Sequence, residues 1–152
     1  MSAALRQPDL PTVGQWTIAW GPAEHEATRS LWYVASGRDA SGDSALAVVI
    51  RGTQMTRFES LRLDFELWLD PLPFDDPGAS AGVKVSRGFA TEFTNLLAAV
   101  DGRTELTCHQ FLSGALESQP DLKVKVIGHS LGGATAPIIA MWMKHEFPAT
   151  DV

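Results

Sequence analysis

A single cysteine, Cys108, occurs among the 152 residues. It excludes an internal disulfide and leaves no Cys-x-x-Cys or Cys/His spacing for a metal. Cys108 itself reads as a small residue packed on a helix. Cationic side chains are scarce as well: 12 Lys and Arg stand against 18 Asp and Glu, a formal net charge of −6. Nucleic-acid partners require clustered cations, and adsorption to anionic lipid requires a polybasic patch; neither is present. No apolar run approaches the ~18 to 20 residues of a membrane span. The N-terminal MSAALRQPDLPTVGQW has no cationic start followed by an apolar stretch, so no signal peptide is visible. A soluble, cytoplasmic protein is therefore the default expectation. Internal repeats and low-complexity tracts are also lacking.

What remains suits one globular domain: 45% hydrophobic and 20% charged residues, in a chain long enough to bury a core. Residues 1–29, punctuated by Pro and Gly, read as an irregular N-terminal segment, and the domain proper as residues 30–152. Ser30–Ser36 (SLWYVAS) and Ala45–Ile50 (ALAVVI) read as strands separated by the turn-rich GRDASGDS, either a hairpin or two neighbouring strands. The alternation of Leu61, Leu63, Phe65, Leu67 and Leu69 favours an extended segment after a short helical turn near 54–60. Prolines 71, 73 and 77 then force a loop, with a short strand returning over Val83–Ser86. Phe89 to Ser118 is helical in pattern, broken at Asp101-Gly102. Lys123–Ile127 is a strand and Gly132–Phe147 a helix that carries Pro137 in its second turn. The order implies a crossover between parallel strands, and the class is α/β with a mostly parallel sheet.

The chemistry concentrates in KVKVIGHSLGGATAPIIAMW, residues 123–142. Gly128-His129-Ser130-Leu131-Gly132 fits G-x-S-x-G, a strand-to-helix turn that exposes a serine nucleophile. At its apex the backbone is strained, and side chains two positions before and two after would collide, hence Gly128 and Gly132. The pentapeptide alone is weak; the β-branched strand before it and the small-residue helix start after it sharpen it. The N–H of Leu131, at that helix N-terminus, is placed to meet a developing oxyanion. A second donor has a candidate in Arg51-Gly52-Thr53, directly after the buried strand, where a plain turn is the competing reading.

A serine nucleophile needs a base. His129, adjacent on a tight turn, points away from its neighbour. His145 is 15 residues along the helix, roughly 22 Å from Ser130. His25 in a polar loop and His109 on a helix read as solvated.

In order along the chain, VVIRGTQ, KVSRGF and VKVIGHSLGGATA resemble the class 3 (fungal-type) lipases of the α/β-hydrolase superfamily, over roughly residues 30–147. The resemblance implies a serine hydrolase of lipid or other carboxylic esters, whose acyl transfer needs no metal or organic cofactor. It assigns Ser130 as nucleophile and Leu131 and Thr53 as oxyanion donors. It implies a lid within Gln54–Leu61, with Phe58 and Leu61 on its apolar face, where a core-packed turn is the alternative. The family usually carries His before the Gly-Phe pair; here the block is Ser86-Arg87-Gly88-Phe89, which alters local hydrogen bonding rather than the nucleophile. The triad acid and base, which follow the serine on later strands in this superfamily, have no matching positions among the 22 residues after Ser130. The chain is thus expected to be the N-terminal part of a lipase domain, inactive alone. Self-association through an open sheet edge, and an uncovered apolar helix face bearing Met141, Trp142 and Met143, are further expectations. A non-catalytic binding protein and an acyltransferase are the competing functions.

Overall fold

A computed structural model describes residues 15–25, 29–51, 68–74 and 82–152. Six strands and three helices occur among them: β1 Thr17–Glu24, β2 Leu31–Arg38, β3 Ser44–Arg51, β4 Leu69–Pro71, β5 Lys84–Ser86, α1 Arg87–Ala98, α2 Cys108–Ser118, β6 Lys123–His129 and α3 Leu131–Glu146. The principal sheet has the order β1-β2-β3-β6, and β4 and β5 form a separate pair.

Two expectations are corrected here. Thr17–Glu24, counted with the irregular N-terminal segment, is a strand of the main sheet and supplies the fully buried Trp20. Gly21-Pro22 hides it in the sequence. The register of β1 slips around Trp20, and Gly21 takes a φ of 81° where a Cβ would lie 3.0 Å from the Trp32 carbonyl. The sheet is also mixed rather than mostly parallel among the described residues. β1/β2 and β2/β3 are antiparallel, and only β3/β6 is parallel. The parallel pair is the expected crossover unit, with both α1 and α2 in the connection.

Alternation decides which face of the sheet is buried under helices. Trp32 and Val34 of β2, Leu46, Val48 and Ile50 of β3, and Val124 of β6 join Phe93 and Leu96 of α1, Leu112 of α2, and Ile139 of α3 in one core. Trp20 and Trp32 meet edge to face at 5.4 Å. Met143 and Trp142 are buried in this core, with Phe93 and His109 packed on the Trp142 ring. The apolar face of α3 is therefore covered, contrary to expectation, because α1 and α2 both return onto it. α3 runs through Pro137, which is exposed. Cys108 opens α2 and is fully buried, and burial pushes its thiol pKa far above the usual range. No described helix is long and apolar enough to cross a membrane.

The predicted break at Asp101-Gly102 widens into a turn over residues 99–107. Asp101 is buried, and its carboxylate accepts from the Arg103 N–H (3.2 Å) and the Thr104 hydroxyl (3.0 Å). Burial would raise its pKa, but these bonds, with another from the backbone at Gly21, hold it below the carboxylate range. Thr107 and Gln110 then form a capping box that starts α2.

Candidate active site

The nucleophile turn rests on β3 and β6, which pair in register to their ends: Ile50 lies opposite Gly128 and Arg51 opposite His129. β6 ends at His129, α3 begins at Leu131, and Ser130 between them has φ 58° and ψ −127°. Only glycine visits that region readily, so the serine is held there by its surroundings. A Cβ on Gly128 would run into the Gly132 carbonyl and come within 2.7 Å of the Gly133 nitrogen. One on Gly132 would strike the carbonyl of Ile50. Both glycines of the motif are thus required by backbone contact. Gly132 also shows what sequence reading missed: the strand end at Ile50 is the surface against which the helix start is pressed.

Ser130 is exposed, and its side chain makes no capping bond. Its carbonyl accepts from the N–H groups of Gly133 (2.9 Å) and Ala134 (3.3 Å). The N–H groups of Leu131 and Gly132, first in the helix, have no intrahelical acceptor, and the helix dipole adds positive potential at the same point. An uncommitted hydroxyl beside two orphan donors can attack a carbonyl and hold the oxyanion that forms.

Thr53, Phe58 and Leu61, the predicted second donor and lid residues, lie outside the described residues. Arg51, two positions before Thr53, is tied down: its Nη2 reaches Glu24 Oε1 at 3.4 Å and the Arg29 carbonyl at 3.2 Å. This tether joins the C-terminal ends of β1 and β3. Sequence reading missed it because β1 itself was missed.

Three of the four histidines, His25, His109 and His145, lie away from Ser130. His109 stacks on Phe147 at 5.7 Å and meets Glu146 at 3.3 Å; His145 lies 5.9 Å from the Phe74 ring. His145 is in the last turn of α3 and the partners of His109 lie there too, roughly 20 Å from the helix start. His109 is therefore half-packed rather than freely solvated. His25 follows β1, three strands across the sheet from β6, roughly 14 Å at the usual spacing. His129 precedes the nucleophile on β6 and is exposed. Among the described residues, no group of three or more His, Cys, Asp or Glu could hold a metal ion.

The family described as Lipase (class 3) matches residues 47–151, which take in most of β3, the elbow and α3. The chain belongs to the class 3 lipase family. No curated protein matches this lipase-family chain significantly. Among solved structures it is similar to M37 lipase, with a TM-score of 0.76 and 22% identity over 98% of this chain. It is also similar to the triacylglyceride lipase of Rhizomucor miehei, with a TM-score of 0.56 and 21% identity over 91% of this chain. At such identities the likeness speaks for the fold, which is a partial α/β-hydrolase fold. The class 3 lipase chain spans less than half of either structure, 47% and 45% respectively.

Where the resembling family carries His before Gly-Phe, this chain has a different local solution. Ser86 precedes α1 without a side-chain cap bond, and Arg87 makes a two-pronged pair with Asp70 at 2.9 and 3.2 Å.

Proposed function

We propose that this chain supplies the nucleophile and oxyanion-binding part of a serine carboxylic-ester hydrolase acting on lipid esters. The observation that carries the reading is Ser130 at positive φ, exposed and free of a capping bond beside the orphan N–H groups of α3. Ser130 Oγ attacks the ester carbonyl and gives its proton to a base. The tetrahedral oxyanion is held by the N–H of Leu131 and, in this proposal, of Thr53; collapse expels the alcohol, and water releases the acid from the acyl-serine. Phe58 and Leu61 are proposed as apolar lid residues over the acyl chain. The base and its orienting acid are proposed to lie outside these 152 residues, because His25, His109 and His145 sit away from Ser130 and His129 is its exposed neighbour on the same tight turn.

The placement of His109 and His145 favours a second reading, a catalytically silent chain that binds without turnover. A serine-directed aryl phosphonate separates the two. Without a base, Ser130 labels orders of magnitude more slowly than a complete triad would. Rapid stoichiometric labelling of Ser130 would overturn the claim that the base lies elsewhere. Labelling or hydrolysis that persists in Ser130→Ala would overturn the nucleophile. Product analysis with competing alcohols distinguishes hydrolysis from acyl transfer. The outer edge of β6 is proposed as a self-association surface. Among the described residues it pairs with no strand, and only the Val124 N–H is engaged there, by the Asp151 carbonyl at 2.8 Å.

A further inference from the structure

The end of the sheet opposite Ser130 carries a groove that ester hydrolysis does not use. β3 is roughly 23 Å long. The groove opens beside Ser44 at its start, whereas Arg51 at its other end lies opposite His129. Its volume is about 620 Å³, within the range of small-molecule sites. α2 shapes one wall. Cys108, Leu112 and Leu116 are buried in the core, so Phe111, Ala115 and Ser118, four and three positions apart, form the neighbouring stripe and line the groove. Ala19 of β1, Leu46 of β3 and Leu122 add further apolar surface.

Arg38, the last residue of β2, is the only charged residue among the described lining. Its Nη1 donates to the Gly42 carbonyl at 2.7 Å, and no carboxylate pairs with it among the described residues. Asp39 accepts from the N–H groups of Ser41 (2.9 Å) and Asp43 (3.1 Å), so the turn that carries Gly42 is itself braced. A guanidinium is thus held at the mouth of an apolar groove with most of its donors unspent.

Charge decides the class of occupant. The guanidinium fork matches a carboxylate, and apolar walls suit an alkyl chain. An adjoining cavity shares Arg38 and also holds Asp121 and Asp43, the latter bonded to Lys123 at 2.6 Å. A doubly charged head such as a phosphate would face these carboxylates; a singly charged carboxylate needs only Arg38.

We propose that this groove binds an alkyl carboxylate, its head on Arg38 and its chain along Phe111 and Ala115. The site is the length of β3 from the elbow and does not rest on the role of Ser130. Isothermal titration calorimetry of the whole chain with dodecanoate tests it, below the micelle concentration and at about pH 8, where carboxylates are ionised. Saturable binding of one equivalent is expected. Arg38→Gln should weaken it about tenfold or more, because the charge-assisted bonds are lost. Arg38→Lys, a point charge without the fork, should recover part of that loss. Ala115→Leu, which fills the groove without altering the cation, should also weaken binding about tenfold or more. Dodecan-1-ol, with the same chain and no charge, should bind about tenfold more weakly than dodecanoate. Arg38 is exposed, so its replacement should leave thermal unfolding unchanged. A wild type without saturable binding overturns the proposal. So does binding that survives either Arg38→Gln or Ala115→Leu undiminished, or dodecan-1-ol bound as tightly as dodecanoate. A ligand-free dimer dissociated by Ala115→Leu would give the groove to a second copy and overturn it as well.

Discussion

Of the three described non-glycine residues at nearly the same left-handed φ, Glu105 at 57° and Ser130 at 58° are held there by opposite means. Around Glu105 the hold is polar. Its N–H donates to the Asp101 carbonyl (2.8 Å), the Asp101 N–H to the Leu106 carbonyl (3.0 Å), and Arg103 Nη2 to the Gly21 carbonyl (2.6 Å). Trp20 Nε1 adds a bond to the Leu106 carbonyl at 2.9 Å. Around Ser130 the hold is steric, with bare backbones at Gly128, Gly132 and Ile50 packed too tightly for a Cβ. The polar turn spends its donors and acceptors on itself. The steric one leaves a hydroxyl and two N–H groups unspent, which is what a site for an external carbonyl requires.

Breaking the steric hold should have the largest effect. Gly128→Ala is expected to cost about 3 kcal/mol or more, because the atoms it meets are backbone and cannot turn aside. Urea unfolding measures it. A loss under about 1 kcal/mol would mean that close packing does not hold the elbow.

The polar hold should break more gently. Asp101→Ala removes a buried acceptor and strands its donors, at a cost of about 1–3 kcal/mol. Its pKa is lowered in the folded state. The stabilisation is therefore complete above the unfolded carboxylate value of about 3.9 and lost as pH falls through the lower folded value. Below about pH 4, wild type should lose stability more steeply than Asp101→Asn; parallel acid-unfolding curves would remove Asp101 from this role.

Ser130→Gly reverses the sign. Glycine adopts the elbow conformation without penalty, so the variant should be stabilised by about 1 kcal/mol while losing all chemistry that passes through Oγ. A raised melting temperature without phosphonate labelling is the expected pair of results. Destabilisation would show that the hydroxyl supports the turn.

The two turns were also unequally legible. The elbow declares itself because its constraint is local: Gly128, Ser130 and Gly132 must stand at fixed offsets whatever the remaining chain does. The strands Leu31–Arg38, Ser44–Arg51 and Lys123–His129 and all three helices follow in the same way from short-range periodicity. Asp101-Gly102 reads only as an interruption. The burial of Asp101 depends on Gly21, distant in sequence, on a strand that Pro22 disguises. That unseen strand also adds one of the sheet's two antiparallel pairings. The second oxyanion donor and the lid rest on Thr53, Phe58 and Leu61, outside the described residues, so for them the resemblance remains the support.

The smallest expected effect tests the steric hold most sharply. Gly133 belongs to the same glycine cluster, yet a Cβ there would sit 3.3 Å from the Gly128 carbonyl oxygen, a contact relieved by a shift of a few tenths of an ångström. The residue is already in the first turn of α3, where alanine is favoured over glycine by about 1 kcal/mol. The crowding and the gain in helix propensity should nearly cancel, leaving Gly133→Ala within about 1 kcal/mol of wild type. If Gly128→Ala unfolds the protein and Gly133→Ala does not, the elbow's constraint is confined to the two glycines that flank the serine. If both fail alike, β6 has no slack beneath the nucleophile, and the constraint extends into the helix itself.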